Sequence, residues 1–589
     1  MGYLVQNIIY ISTFILLFLA VMLIKKSDEK QEIIVWIPVS LFSVLLIQSI
    51  IATIINWLGF SITLLPLGVF FLGISVSLIF LIAKRIGIQA YRIPSIVDVV
   101  AVVLIIYAAI WFAKTYFGPN LSLRFYMVDG ATHYSFAWMV ATGKGFAANL
   151  YFEALNDGVI MLIARVFGTT SIIAEKAFVV SQVLSLTMSV LLFYAFIRSQ
   201  SRKNFLTIIG LAISFVYAYG YPLYAVVSGF AYFATSINLI LGLFILISLH
   251  ENTKINKWVT IVHCNLFLFG LFICYTFFIP VVFFSLFFYI WWHYARTEKK
   301  LISKGLVIAE LQTFALPTLL GMIISFGNVS ELGSGGGITN DGGAYVDLYS
   351  NFLLLLIPSI LGMLIIIRKT HKDVFVLIST VLSVLFWCLL ILMNLKHRAS
   401  LYYVSKIYNM LWLCCFLLVM VSIKYCIEEF LELIVAITLA GALLFSFIKV
   451  KVPERVVEAN SYINAYGVVW SDYTSLIPNI FAYMKVWEGV PVRVTDEQAE
   501  LYEYVRANLS NETEKNVIMD GDGYSTVWYM KITSRQNVVN GDTKKRSKSA
   551  NSKYVVDLLQ NDETSLQEKY GTGAHILFQN AAGIVVQNK

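Results

Sequence analysis

Runs of roughly 18 or more residues with almost no charge recur along this chain, beginning with Leu4–Ile24, and no other feature limits its fold so severely. A helix rises about 1.5 Å per residue, so about 20 residues cross a hydrocarbon core about 30 Å thick. Single core helices of soluble domains seldom need that length. The 589 residues are 59% hydrophobic and 13% charged, with mean hydropathy +0.77, whereas a soluble chain is about half apolar and about a quarter charged. The first run follows no basic residue, exceeds the apolar stretch of a signal peptide and has no clear small-residue cleavage site, so it reads as a retained span. The six cysteines lie in or at the ends of apolar runs and read as small core residues rather than a disulfide framework.

Fourteen spans are expected near residues 4–24, 33–55, 62–83, 96–113, 172–197, 205–219, 231–249, 258–274, 277–294, 306–326, 351–367, 374–393, 408–423 and 431–448. If they alternate across the bilayer, one side receives Lys25, Lys26, Lys84, Arg85, Arg198, Arg202, Lys203, Arg296, Lys299, Arg368, Lys372 and Lys424, with further lysines between them. The bias of basic residues toward the cytoplasm names that side. It also explains the formal charge of +8 without a nucleic-acid partner. The outer side then holds a loop at 114–171, a Gly-rich loop at 327–350, the basic turn 394–406 and a domain at 451–589, leaving 1–450 as the membrane domain.

Within the first outer loop, Asp129 precedes Gly130-Ala131-Thr132-His133 and an apolar series that ends at Gly143-Lys144-Gly145. This pattern predicts a short helix capped by Asp129, with His133 on the same face four residues on. A second short helix, from about Leu155 to Phe167, closes at Gly168. Both are expected to lie on the membrane surface, apolar faces down. On this pattern alone Asp129 is a helix cap and His133 an interfacial polar residue.

The string Asp129-Gly-Ala-Thr-His133, placed in the first large outer loop between a span and paired helices, resembles the first-loop acidic motif of GT-C integral membrane glycosyltransferases. Many spans followed by an outward C-terminal domain are similar to that superfamily as well, although here three spans precede the one leading into the loop. The resemblance implies a GT-C-like fold, Asp129 as catalytic base, and a sugar carried on a polyprenyl phosphate as donor. The acceptor would be a cell-surface glycan, a lipid or a protein, and transfer would invert the anomeric centre.

That chemistry suits the residues. A phosphate leaving group departs as an anion and needs cations more than a general acid, while the acceptor hydroxyl needs a base within hydrogen-bond reach. Lys396, His397 and Arg398, with Tyr402 and Lys406 nearby, form a basic cluster on the side where the charge rule disfavours one. Snorkelling toward lipid headgroups is the plainer account of them. Arg124 is a further cation in the Asp129 loop. No metal ligand set is assigned. A divalent cation, Mg or Mn, is the one cofactor left open, with Glu331, Asp341 and Asp347, or Glu153 and Asp157, as carboxylates within reach of the outer face. The Gly-rich stretch Ser334–Gly337 lacks the Gly-Lys-Ser/Thr ending of a nucleotide loop.

After an aromatic stretch at Ser461–Trp487, the chain predicts a small α/β unit outside the cytoplasm. Helices are expected near Glu497–Ala507, after Tyr524 and near Tyr554–Gln560. Strands are expected at Val517–Met519, Asn537–Val539, His575–Phe578 and Ile584–Val586. A transporter or flippase of lipid-linked sugars is the main alternative, disfavoured because no internal repeat is visible and most charges sit at span ends. A glycan polymerase or ligase is the other, for which a large outer loop late in the chain would be expected.

Overall fold

The computed structural model describes residues 2–123, 128–143, 152–218, 220–227, 229–253, 255–329, 355–370, 372–428, 494–521, 523–539, 552–558 and 573–588. In chain order the helices of the first part are α1 (Tyr3–Leu23), α2 (Ile33–Trp57), α3 (Leu64–Leu81), α4 (Ile96–Phe112), α5 (Val128–Ala141), α6 (Phe152–Ala164), α7 (Ser171–Gln200), α8 (Asn204–Ala218) and α9 (Tyr221–Val227). They continue as α10 (Ala231–Thr253), α11 (Lys257–Cys274), α12 (Ile279–Glu298), α13 (Lys304–Val329), α14 (Leu356–Ile365), α15 (Val374–Leu395) and α16 (Leu401–Glu428). Eleven helical segments among the described residues are long and apolar enough to cross a membrane, and Ile96–Phe112 and Leu356–Arg368 are shorter apolar helices. The chain is therefore a multi-pass membrane protein. The span expected at 431–448 lies outside the described residues, as do the aromatic stretch 461–487 and the carboxylates Glu331, Asp341 and Asp347.

Helices at the centre of the bundle show no polar stripe, because their neighbours are as apolar as lipid. The spanning part of α10 is buried throughout, and α16 nearly so, whereas α1, α3, α12 and α13 leave most of their surface outward. Close approaches occur where a side chain is absent: a Cβ on Gly242 of α10 would stand 1.9 Å from the Phe267 ring of α11, and one on Gly362 of α14 would stand 2.3 Å from the Leu418 carbonyl of α16.

Polar side chains tie the bundle at its basic-loop end. Asp98, in the capping box that starts α4, accepts from Tyr194 (2.8 Å) and from Arg198 (2.9 Å) of α7. Glu32 completes the network with Arg202 at 3.0 Å. Two short parallel strands, β1 (Gln31–Glu32) and β2 (Tyr91–Arg92), join the connections before α2 and α4. Lys26 is unlike the exposed lysines of the basic loops. It is fully buried, its ammonium donates to the carbonyls of Val21, Met22 and Ile24, and it closes the C-terminal end of α1. Burial lowers its pKa to about 7.

The C-terminal unit is a mixed five-stranded sheet in the order β4-β3-β5-β7-β6, built from β3 (Val517–Asp520), β4 (Val538–Val539), β5 (Tyr554–Asp557), β6 (His575–Asn580) and β7 (Gly583–Gln587). Two helices, α17 (Asp496–Asn508) and α18 (Gly523–Thr533), pack with it. β3 runs parallel to β4 and β5, and β7 antiparallel to β5 and β6. The helix expected at Tyr554–Gln560 is instead the central strand β5. Its adjacent valines favour extended backbone, and a strand flanked on both sides buries consecutive residues rather than alternate ones, which removes the period-2 signal.

Candidate functional site

The described residues of the 114–171 loop fold into the bundle rather than over it. The fourteen residues of α5 start at Val128, one before Asp129, so Asp129 lies inside the first turn of the helix instead of capping it. α5 ends as expected near Gly143, whose φ of 73° is the left-handed conformation of a helix stop. α6 begins at Phe152, ahead of the expected start, and ends in a 3-10 turn at Arg165–Phe167 before Gly168. Gly158 allows the two helices to touch, since a Cβ there would lie 2.6 Å from Val140 Cβ and 2.8 Å from the Ala137 carbonyl.

The packing of α6 differs from that of the surface helix the sequence suggested. Nine of its thirteen residues are buried, Glu153 and Asp157 among them. Asn156 accepts from Gln48 of α2 at 3.1 Å, and the Ile163 carbonyl accepts from Asn7 of α1 at 2.7 Å. A helix polar on both sides finds partners by inserting between spans, where each unsatisfied group would otherwise cost about 1–3 kcal/mol.

This insertion places an acid pair deep in the protein. Gln182 of α7 donates to Asp157 at 3.0 Å and to Glu153 at 3.4 Å. Glu153 Oε2 stands 3.6 Å from Nδ1 of His133, the residue one helical turn beyond Asp129 on α5. Burial sets the ionisation of all three. It lowers His133 to about 3, with the charge of Lys406 adding to the effect, raises Asp157 to about 7, and pushes Glu153 well above the ordinary carboxylate range, Asp157 contributing. Near neutral pH, His133 is therefore an uncharged imidazole beside Glu153.

His133 stacks on Tyr232 of α10, with ring centroids 4.7 Å apart. Beyond the ring lies Lys406 of α16, buried, its ammonium donating to Tyr275 at 2.8 Å. Aromatic faces surround it: Tyr402 at 4.1 Å, Tyr275 at 4.7 Å and Tyr232 at 5.7 Å. Each such contact is worth about 0.5–2 kcal/mol, and together they hold a cation at a depth where it would otherwise be expelled. A cavity of about 30 Å³ opens beside it, lined by Tyr221, Tyr224, Phe230, Phe233, Ser405 and Asn409 among others.

The expected basic cluster divides in two. Tyr402 joins the Lys406 cage, while Lys396, His397 and Arg398 form the exposed turn between α15 and α16. There the His397 amide donates to the Asn394 carbonyl at 2.8 Å, and His397 takes a φ of 54° to close the reversal. Arg124 lies outside the described residues, and of Asp129 only the backbone is described. Among the described residues no group of three or more His, Cys, Asp or Glu is arranged to hold a metal ion.

Sequence reasoning gave Lys406 only a passing place and passed over Gln182, Tyr232 and Tyr275. One signal was available. Lys406 sits a turn and a half into α16, too far from its end to be a simple terminal charge, and ionisable groups inside such helices mark working positions.

The C-terminal unit covers this end of the bundle. Trp528 of α18 meets Tyr134 of α5 with centroids 6.1 Å apart, and the Arg506 guanidinium of α17 lies 4.0 Å over the Trp138 ring. Val494 donates its amide to the Leu123 carbonyl at 3.0 Å, and Lys176 pairs with Asp496 at 3.5 Å. These contacts lie at the start of α7, whereas the basic-loop network lies at its end, so the two occupy opposite faces of the bundle.

The fold and site define a multi-pass membrane protein whose small α/β domain closes over a buried acid, histidine and lysine cluster. No known family model matches the chain, and a comparison with curated proteins finds no match.

Proposed function

We propose that this chain is a membrane glycosyltransferase of the GT-C kind. It would move a sugar from a polyprenyl-phosphate donor to an extracytoplasmic acceptor, with the α/β domain on the outer side. The observation that carries the reading is the juxtaposition, under the α/β domain, of the Asp129–His133 turn of α5 with the caged cation Lys406. Tyr232 touches both His133 and Lys406, so the helix that carries the proposed base and the cation share one aromatic wall. In the proposed reaction, Asp129 takes the proton of the acceptor hydroxyl as its oxygen bonds to the anomeric carbon. The bond from that carbon to the phosphate oxygen breaks with its electron pair leaving on the phosphate, and Lys406 stabilises the departing anion.

The test uses the full chain in lipid vesicles with a panel of polyprenyl-phosphate sugars. Wild type is expected to release polyprenyl phosphate and Asp129→Asn to release none while remaining folded. Lys406→Gln is expected to raise the KM for the donor more than Arg398→Ala does.

The transporter reading draws on a different observation, the proton-holding pair Glu153 and Asp157 at depth in the bundle. It requires no donor cleavage. Movement of lipid-linked sugar between leaflets by wild type, with no release from any donor, would replace the transferase reading with it.

A further inference from the structure

A cleft of about 620 Å³ opens at the other end of the bundle, between the basic-loop ends of α2, α7, α10, α14 and α16. α7 connects the two regions: its thirty residues span roughly 45 Å, more than the hydrocarbon core of a bilayer. The cleft thus lies at the opposite membrane face from Asp129, and nothing in the reaction proposed above uses it.

Six cations and three carboxylates line the cleft. Two of the carboxylates are already engaged, and Glu29 is exposed. Glu32 meets Arg202 at 3.0 Å and Arg198 at 3.6 Å, and Asp373 accepts from Gln200 at 2.6 Å. Gln200 is held in turn by Lys424, which donates to its side-chain oxygen at 3.0 Å. Lys30, Lys203 and Lys424 have no carboxylate in ion-pair range among the described residues, so the wall carries positive charge that its own acids do not balance. Arg198 is almost fully buried and fixed on Asp98 at 2.9 Å, which makes the floor rigid. A roomy, preformed, cationic cleft between helix ends at headgroup depth is the arrangement that holds a phosphate group.

We propose that this cleft binds a phosphate-bearing anion, with Lys203 and Lys424 as its principal cations. The phosphate of an anionic phospholipid headgroup and a free phosphate supply the same chemistry, and they are separable by experiment. The proposal stands or falls independently of the transferase reading.

The experiment measures thermal unfolding of the purified full chain in neutral detergent. Phosphatidylglycerol in mixed micelles is compared with phosphatidylcholine, and inorganic phosphate with chloride at matched ionic strength. Phosphatidylglycerol is expected to raise Tm by roughly 3 °C. The shift should vanish in Lys203→Gln/Lys424→Gln and persist in Lys84→Gln/Arg85→Gln, which removes charge from another loop. A shift with phosphatidylglycerol alone assigns the site to a lipid headgroup, and a shift with inorganic phosphate assigns it to a soluble phosphate. No shift with either, or an equal shift in the double variant, overturns the proposal. If the double variant does not fold, Lys203→Gln alone, at an exposed position, should weaken the shift while Lys203→Arg retains it; equal shifts in those two overturn the proposal as well.

Discussion

Burial moves the protons of His133 and Asp157 in opposite directions, and the effects on stability oppose each other. His133 falls from its ordinary 6.5 to about 3, so between those values the unfolded chain binds more protons and stability rises with pH. Asp157 rises from 3.8 to about 7, so across that interval the folded chain binds more protons and stability falls as pH increases. In wild type the two slopes oppose each other, and Glu153, raised in the same sense as Asp157, adds to the decline with pH. Asp157→Asn should therefore make Tm climb more steeply than wild type from pH 3 to 6.5. His133→Gln should make it decline from pH 4 to 7. Unfolding followed by intrinsic fluorescence across pH checks both, and parallel profiles for the three proteins would contradict this account of the cluster.

Between elements, the critical contact is the one between α5 and α6, because it sets where Asp129 stands relative to Glu153 and Lys406. Gly158→Ala puts a methyl group into space already held by Val140 and the Ala137 backbone, and it should destabilise by about 1–3 kcal/mol. Gly73→Ala on α3 is the control: open space surrounds that position, so the change should be neutral or stabilise by about 0.4–1 kcal/mol. Thermal unfolding of the two variants separates them, and a drop in donor release for Gly158→Ala alone would tie the contact to the reaction. Elements of this kind were unevenly legible in the sequence. The spans could be read because lipid demands about twenty apolar residues and tolerates little else. β5 carries no period to read, because three of its four residues are buried in succession. The insertion of α6 was hidden because its carboxylates find their partners on α5 and α7, and the Lys406 cage because Tyr275 lies 131 residues away along the chain. A one-dimensional pattern records which residues are unusual for lipid and leaves open which of them meet.

At the scale of the whole molecule, the α/β domain is fastened to the bundle mainly by aromatic contacts. The Lys176–Asp496 pair is exposed and adds at most about 1 kcal/mol, whereas Tyr134 and Trp528 are fully buried. Arg506→Ala should loosen the domain without unfolding the bundle, seen as faster hydrogen exchange in α5 with unchanged exchange in α10. Lys176→Ala should change neither. If the domain presents the acceptor, Arg506→Ala will raise the acceptor KM and leave that of the donor as it was.

α7 is tied at both ends, by its packing against α17 of the α/β domain and by Arg198 to Asp98 and Glu32. A helix so fixed cannot tilt on its own to suit a thinner or thicker bilayer, and the mismatch must be absorbed by the bundle as a whole. The protein thereby becomes a gauge of membrane thickness. Reconstituted in lipids of graded acyl length, the transfer proposed for it should be fastest at one thickness and fall on either side. Cutting the tether with Arg198→Gln should flatten that peak.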